Sequence, residues 1–86
     1  MLQEYLNDRN DAITECIDTD SLDAFKAFVS KWVDRGVYPK CFILPSDEVL
    51  NISIRQMCLH VKGIEPETKG KAVEWLTSHN CHLDIE

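Results

Sequence analysis

Two groups of side chains in this 86-residue chain have types and spacings that could support chemistry. The first is thiols and imidazoles: Cys58 and His60 in "CLH", then His79, Cys81 and His82 in "HNCH", with Cys16 and Cys41 elsewhere. Thiolate and neutral imidazole are zinc ligands, and a thiol beside an imidazole is the nucleophile–base pair of thiol catalysis. Neither spacing matches a zinc module. If the third and fourth helical segments form an antiparallel hairpin, His79 lies a helix length from Cys58, about 20 Å at 1.5 Å per residue. Cys41 approaching His79, Cys81 and His82 is the arrangement that keeps zinc in play. Neither thiol–imidazole pair comes with an oxyanion donor, and the glycines Gly36, Gly63 and Gly70 form no phosphate loop. We therefore expect no enzyme, no metal and no cofactor. Cys16 and Cys58 become small core residues, His79 a partly buried helix-face residue and Cys81 an exposed, oxidisable thiol.

The second group is five carboxylates. Glu4, Asp8, Asp11, Glu15 and Asp18 recur in alternating steps of four and three, which puts them on one face of a helix. No lysine is interleaved at four-residue spacing to neutralise them. The plain account is a solvated face. The sharper one is a docking surface for a basic protein partner, or a mimic of a row of phosphates of the kind that inhibitors from phages and mobile elements often use. We expect these five residues to bind a partner, as an inhibitor or adaptor does.

The bulk composition frames that expectation. A formal charge of -6 opposes non-specific attraction to nucleic acid and to anionic lipid. The 44% hydrophobic and 28% charged fractions are those of a globular protein rather than a disordered one. No apolar run reaches membrane-spanning length, and "MLQEYLNDRNDAI" carries acids where a signal peptide carries bases. We expect a cytoplasmic protein with reduced thiols, no membrane association, and one domain over residues 1–86. A chain this short buries about 60–65% of its unfolded surface, enough for a small core.

Four helical segments must position these residues. Leu2, Tyr5, Leu6, Ala12, Ile13, Cys16 and Ile17 form the apolar face opposite the carboxylates, with Arg9 set among them. "TDSLD" starts a second helix, with Asp20 or Ser21 as cap. Leu22, Phe25, Phe28, Val29, Trp32 and Val33 form its stripe, and Gly36 suits a left-handed end. "VYPKCFILP" is apolar but bounded by Pro39 and Pro45, so a buried extended connection or short helical turn is expected. If the core leaves Phe42, Ile43 and Leu44 uncovered, they form a patch suited to a homodimer. Ser46 opens a third segment ending near Lys62–Gly63, and Pro66 opens a fourth that runs to Asn80, weakened at Gly70. Leu83 and Ile85 in the tail either dock or fray.

The third segment, around "EVLNISIRQM", admits two readings. As one helix it shows apolar residues nearly all round: Leu50, Ile54, Met57, Cys58 and Val61 on one side, Val49, Ile52 and Leu59 on the other. A turn at Asn51 with Ser53 capping a new helix accounts better for the mixed faces. "LNIS" followed by "IRQM" also resembles the helix-turn-helix of DNA-binding proteins, and "IEPETKGKAVEWL" resembles the bracing helix of lactose-repressor-type domains. The resemblance spans about Phe42 to Leu76, with Pro45 and Asp47 standing where the first helix of that motif runs unbroken. It implies DNA binding, with Ser53, Arg55 and Gln56 at base edges and Lys69 and Lys71 near phosphate. The expected fold is all-α: a small bundle of about four helices, with a helix-turn-helix-like unit at residues 46–62 under the second reading.

Overall fold

Burying one stripe of each periodic segment requires the helices to share a single core, and α1 (Leu2–Thr19) occupies its centre. In the computed structural model, which describes residues 2–83, α2 (Asp23–Asp34), α3 (Asp47–His60) and α4 (Pro66–Ser78) complete an all-α bundle. α1 and α2 form one close pair, α3 and α4 another, and α1 also packs on both α3 and α4. Ile13, Cys16, Trp32, Ile54, Cys58, Ala72 and Leu76 are each at most 1% exposed where these surfaces meet. Full burial of a large apolar side chain contributes about 1.5–3 kcal/mol, so this set dominates the stability of so small a chain. No helix among the described residues is long and apolar enough to cross a membrane.

The aromatic stripe of α2 anchors the core as its spacing predicts. Phe25 and Phe28 pack at 5.4 Å between ring centroids, and Tyr5 of α1 meets Trp32 edge-on at 5.3 Å. Gly36 takes the left-handed conformation that ends α2, at φ 83°. The α1/α2 turn differs from expectation. Leu22 is the N-cap residue of α2 and makes no side-chain cap bond, while the Ser21 hydroxyl accepts the Asp23 N–H at 3.3 Å. Asp20 is left-handed at φ 54°, and its carboxylate turns to Arg55 instead.

Residues 37–46 form a strap rather than a buried connection. Its anchor is Tyr38, whose hydroxyl shares a 2.5 Å hydrogen bond with Tyr5 and whose ring stacks on Phe42 at 5.0 Å. Leu44 is half-buried against the core, whereas Ile43 faces solvent.

α3 is unbroken through Asn51, which corrects the predicted turn there. Its cap is Ser46, whose hydroxyl accepts the Val49 N–H at 3.4 Å; Ser53 is an interior helical residue. The mixed faces resolve without a turn. Leu50, Ile54 and Cys58 are buried, Met57, Leu59 and Val61 pack partly on the core, and Val49 stays exposed. A helix lodged between α1 and α4 needs less apolar surface buried all round than an isolated pattern suggests.

The α3/α4 corner is pinned to α1 by Asn10, whose side-chain amide donates to the Lys62 carbonyl at 2.8 Å. Gly63 beside it has φ 90°, and a β-carbon there would lie 3.0 Å from the Asn10 amide nitrogen. Pro66 opens α4 as predicted, and the Gln56 amide holds the tail by donating to the His82 carbonyl at 3.1 Å. Ile85 lies outside the described residues.

Candidate functional site

α1 and α2 run antiparallel, so successive turns of one face successive turns of the other. At the first turn Glu4 receives Arg35, with 2.6 Å between Oε2 and Nη1. One turn on, Asp8 receives Lys31 at 2.5 Å and also accepts the Trp32 indole N–H at 3.2 Å. The Arg35 guanidinium lies 4.6 Å over the same indole. The Arg35 hydrogen bond lowers the Glu4 pKa, the Lys31 hydrogen bond lowers that of Asp8, and Asp8 in turn raises Lys31.

The cation ladder stops there. The next α2 residues opposite α1 are Ala27 and Ala24, and their small side chains leave an open groove of about 410 Å³. Its walls carry Asp8, Asp11 and Glu15 on the α1 side, with Ala12 and Phe28 beneath. Asp11 and Glu15 are exposed, and their carboxylates have no partner among the described residues. The last of the five predicted acids, Asp18, is taken by α4: Lys71 lies 3.1 Å away, and the buried Thr68 hydroxyl lies at 3.5 Å. The carboxylate stripe is thus one face by periodicity but three environments in the fold. Glu4 and Asp8 are clamped to α2, Asp18 is clamped to α4, and Asp11 and Glu15 stand open between them.

The residues implied by the helix-turn-helix resemblance are arranged for other work. Arg55 is only 2% exposed and so cannot meet a base edge. It donates to the Asn51 carbonyl and side-chain oxygens, each at 3.1 Å, and to Asp20 at 3.2 Å. Burial lowers its pKa, with Asp20 opposing. Ser53 and Gln56 are half-buried, Gln56 being spent on the tail. Lys71 is committed to Asp18, and Lys69 is half-buried on α4.

The thiols and imidazoles do not converge. No group of three or more His, Cys, Asp or Glu suited to a metal exists among the described residues. Cys16 and Cys58 are buried, and burial raises both thiols, Cys58 to about 11. Cys41 is exposed on the strap; Cys81 is half-buried rather than exposed, with its thiol 3.6 Å from the His79 carbonyl. His79 is exposed rather than partly buried, stacked 3.8 Å from Trp75.

What periodicity missed is the groove. The absence of a cation at Ala24 and Ala27 is visible in the sequence only once α2 is known to lie antiparallel against the acidic face. Comparison with known proteins finds no matching protein family, no matching curated protein and no matching solved structure.

Proposed function

We propose that this chain is a non-enzymatic, cytoplasmic interaction module that binds a basic segment of a protein partner in the α1/α2 groove, acting as an inhibitor or adaptor. The observation that carries the reading is the interrupted ladder: Arg35 and Lys31 answer Glu4 and Asp8, whereas Ala27 and Ala24 leave Asp11 and Glu15 unanswered. A partner lysine or arginine completes the ladder, and an apolar side chain between two such cations covers Ala12, Ala27 and Phe28. Small residues let a second backbone come close, and desolvated charge pairs then supply register and specificity. A DNA reader draws no comparable support, because its leading arginine is buried and one of its two lysines is already paired. The four free cysteines accord with a reducing compartment.

The test is selection from a displayed random peptide library, followed by heteronuclear NMR on the peptides enriched. Enrichment of sequences with an apolar residue flanked by Lys or Arg, shifting amides of residues 11–15 and 24–28, is the expected outcome. The double variant D11K/E15K should lose those peptides while keeping its helical circular dichroism. Enriched peptides that bind the double variant equally well would sink the reading.

A further inference from the structure

The opposite edge of α2 carries a second groove with a different chemistry. Val29 and Val33 of α2 and Phe42 and Leu44 of the strap line it, and it encloses about 330 Å³. Between Phe42 and Leu44 the strap presents Ile43, which at 85% is the most exposed large apolar side chain among the described residues. Turned outward in this way, Ile43 contributes nothing to the chain's own core. The rim bears Asp34 and Lys40, exposed and of opposite sign, with no partner for either among the described residues. Lys26, also on the rim, is already paired with Asp47 at 3.0 Å.

We propose that a second copy of this chain docks here, about a two-fold axis that sends Ile43 of each protomer into the other's groove. The charge pattern selects this occupant. A purely basic or purely acidic partner meets one matching and one opposing charge on the rim. A two-fold copy meets both correctly, Lys40 of one protomer against Asp34 of the other, twice over. The rest of the surface disfavours self-contact, since each copy carries a formal charge of -6. This rim, with one acid, one free lysine and one paired lysine, carries no net negative charge of its own. The apolar knob and its apolar receptacle lie beside each other, as an isologous contact requires.

Sedimentation of the full chain under reducing conditions tests the proposal; the reductant removes any contribution from a disulfide at exposed Cys41. A reversible monomer–dimer equilibrium is expected, with a Kd between about 1 μM and 1 mM for so small a contact. Ile43→Asp should weaken it by about tenfold or more, and Ile43→Ala by less. Asp34→Lys or Lys40→Asp alone should also weaken it, and D34K/K40D together should restore it. Asp34, Lys40 and Ile43 are all exposed, and circular dichroism checks that each variant folds. The D11K/E15K variant should dimerise at least as tightly as the parent, its charge of about -2 easing the repulsion between copies, which separates this surface from the α1/α2 groove. A chain monomeric throughout that range would overturn the proposal. So would a dimer indifferent to Ile43→Asp, or single charge reversals that the double variant fails to rescue.

Discussion

The Arg55 guanidinium carbon lies 4.3 Å over the Trp75 ring, joining the middle of α3 to the last turn of α4. The same guanidinium reaches Asp20 in the α1/α2 turn and Asn51 on α3, so one side chain ties three parts of the bundle together. A buried charge is tolerable here because Nη1 and Nη2 find carbonyl, amide and carboxylate oxygens and the flat face finds an aromatic ring, while Nε is buried with no hydrogen-bond partner among the described residues.

Arg55 is therefore expected to act on stability rather than on DNA. Asp20 is 81% exposed on its side chain, so deleting the guanidinium strands no buried carboxylate. The loss is chiefly packing and hydrogen bonds: Arg55→Ala should cost about 2–4 kcal/mol, and Arg55→Met, which keeps the stem, about 1–2. Urea titration measures both. Anisotropy of a labelled duplex should show no binding by the parent even at low salt; steeply salt-dependent binding would restore the DNA reading.

The Glu4 and Asp8 clamps predict the acid limb of stability. Both pKa values are lowered on folding from ordinary values of 4.5 and 3.8, so the folded state binds these protons less tightly than the unfolded chain. Their contribution is complete above those values and is lost as pH falls through the lowered ones. The urea midpoint should drop between about pH 6 and about pH 3, and Glu4→Gln/Asp8→Asn should flatten that drop.

Gly70 offers a stabilising change. It sits on an exposed position of α4 with ordinary negative φ, and a β-carbon there meets nothing within 4 Å. Gly70→Ala should raise stability by about 0.5–1 kcal/mol, mainly by restricting the unfolded chain, and Tm by several degrees. Gly63→Ala should do the reverse, because its φ of 90° and the Asn10 amide 3.0 Å away both oppose a side chain. Differential scanning calorimetry of the two variants decides it.

The thiols should divide by burial. Cys41 should react readily with iodoacetamide in the native protein and half-buried Cys81 more slowly, while Cys16 and Cys58 stay protected until denaturant is added. Burial raises the Cys58 pKa to about 11, so little thiolate forms there at neutral pH. Mass spectrometry after timed labelling gives the order. Fast labelling of Cys58 in folded protein would mean that the α3/α4 interface opens locally.

Local chemistry made the helices legible. The 3.6-residue period of Leu2 to Ile17, the aromatic stripe from Phe25 to Trp32, Gly36 at the end of α2, Ser46 opening α3 and Pro66 opening α4 all act within a few residues of themselves. The carboxylate stripe was legible for the same reason. Its division was not, because Lys31 answers Asp8 across 23 residues and Lys71 answers Asp18 across 53, and no period records such partners. Likewise the pattern around Asn51 suggested a turn because a lone helix with mixed faces looks too apolar, and only packing between α1 and α4 makes a continuous α3 the better solution. Arg55 shows the same limit. Its place in "IRQM", which resembles the start of a recognition helix, implies a DNA contact until the tertiary structure sets an indole against it and a carboxylate within reach. The sequence by itself determined the four helical segments and the apolar faces of α1 and α2, because those follow from near neighbours. Which charges are free to meet a partner was decided only by the tertiary structure, because that depends on which distant cations the fold brings alongside.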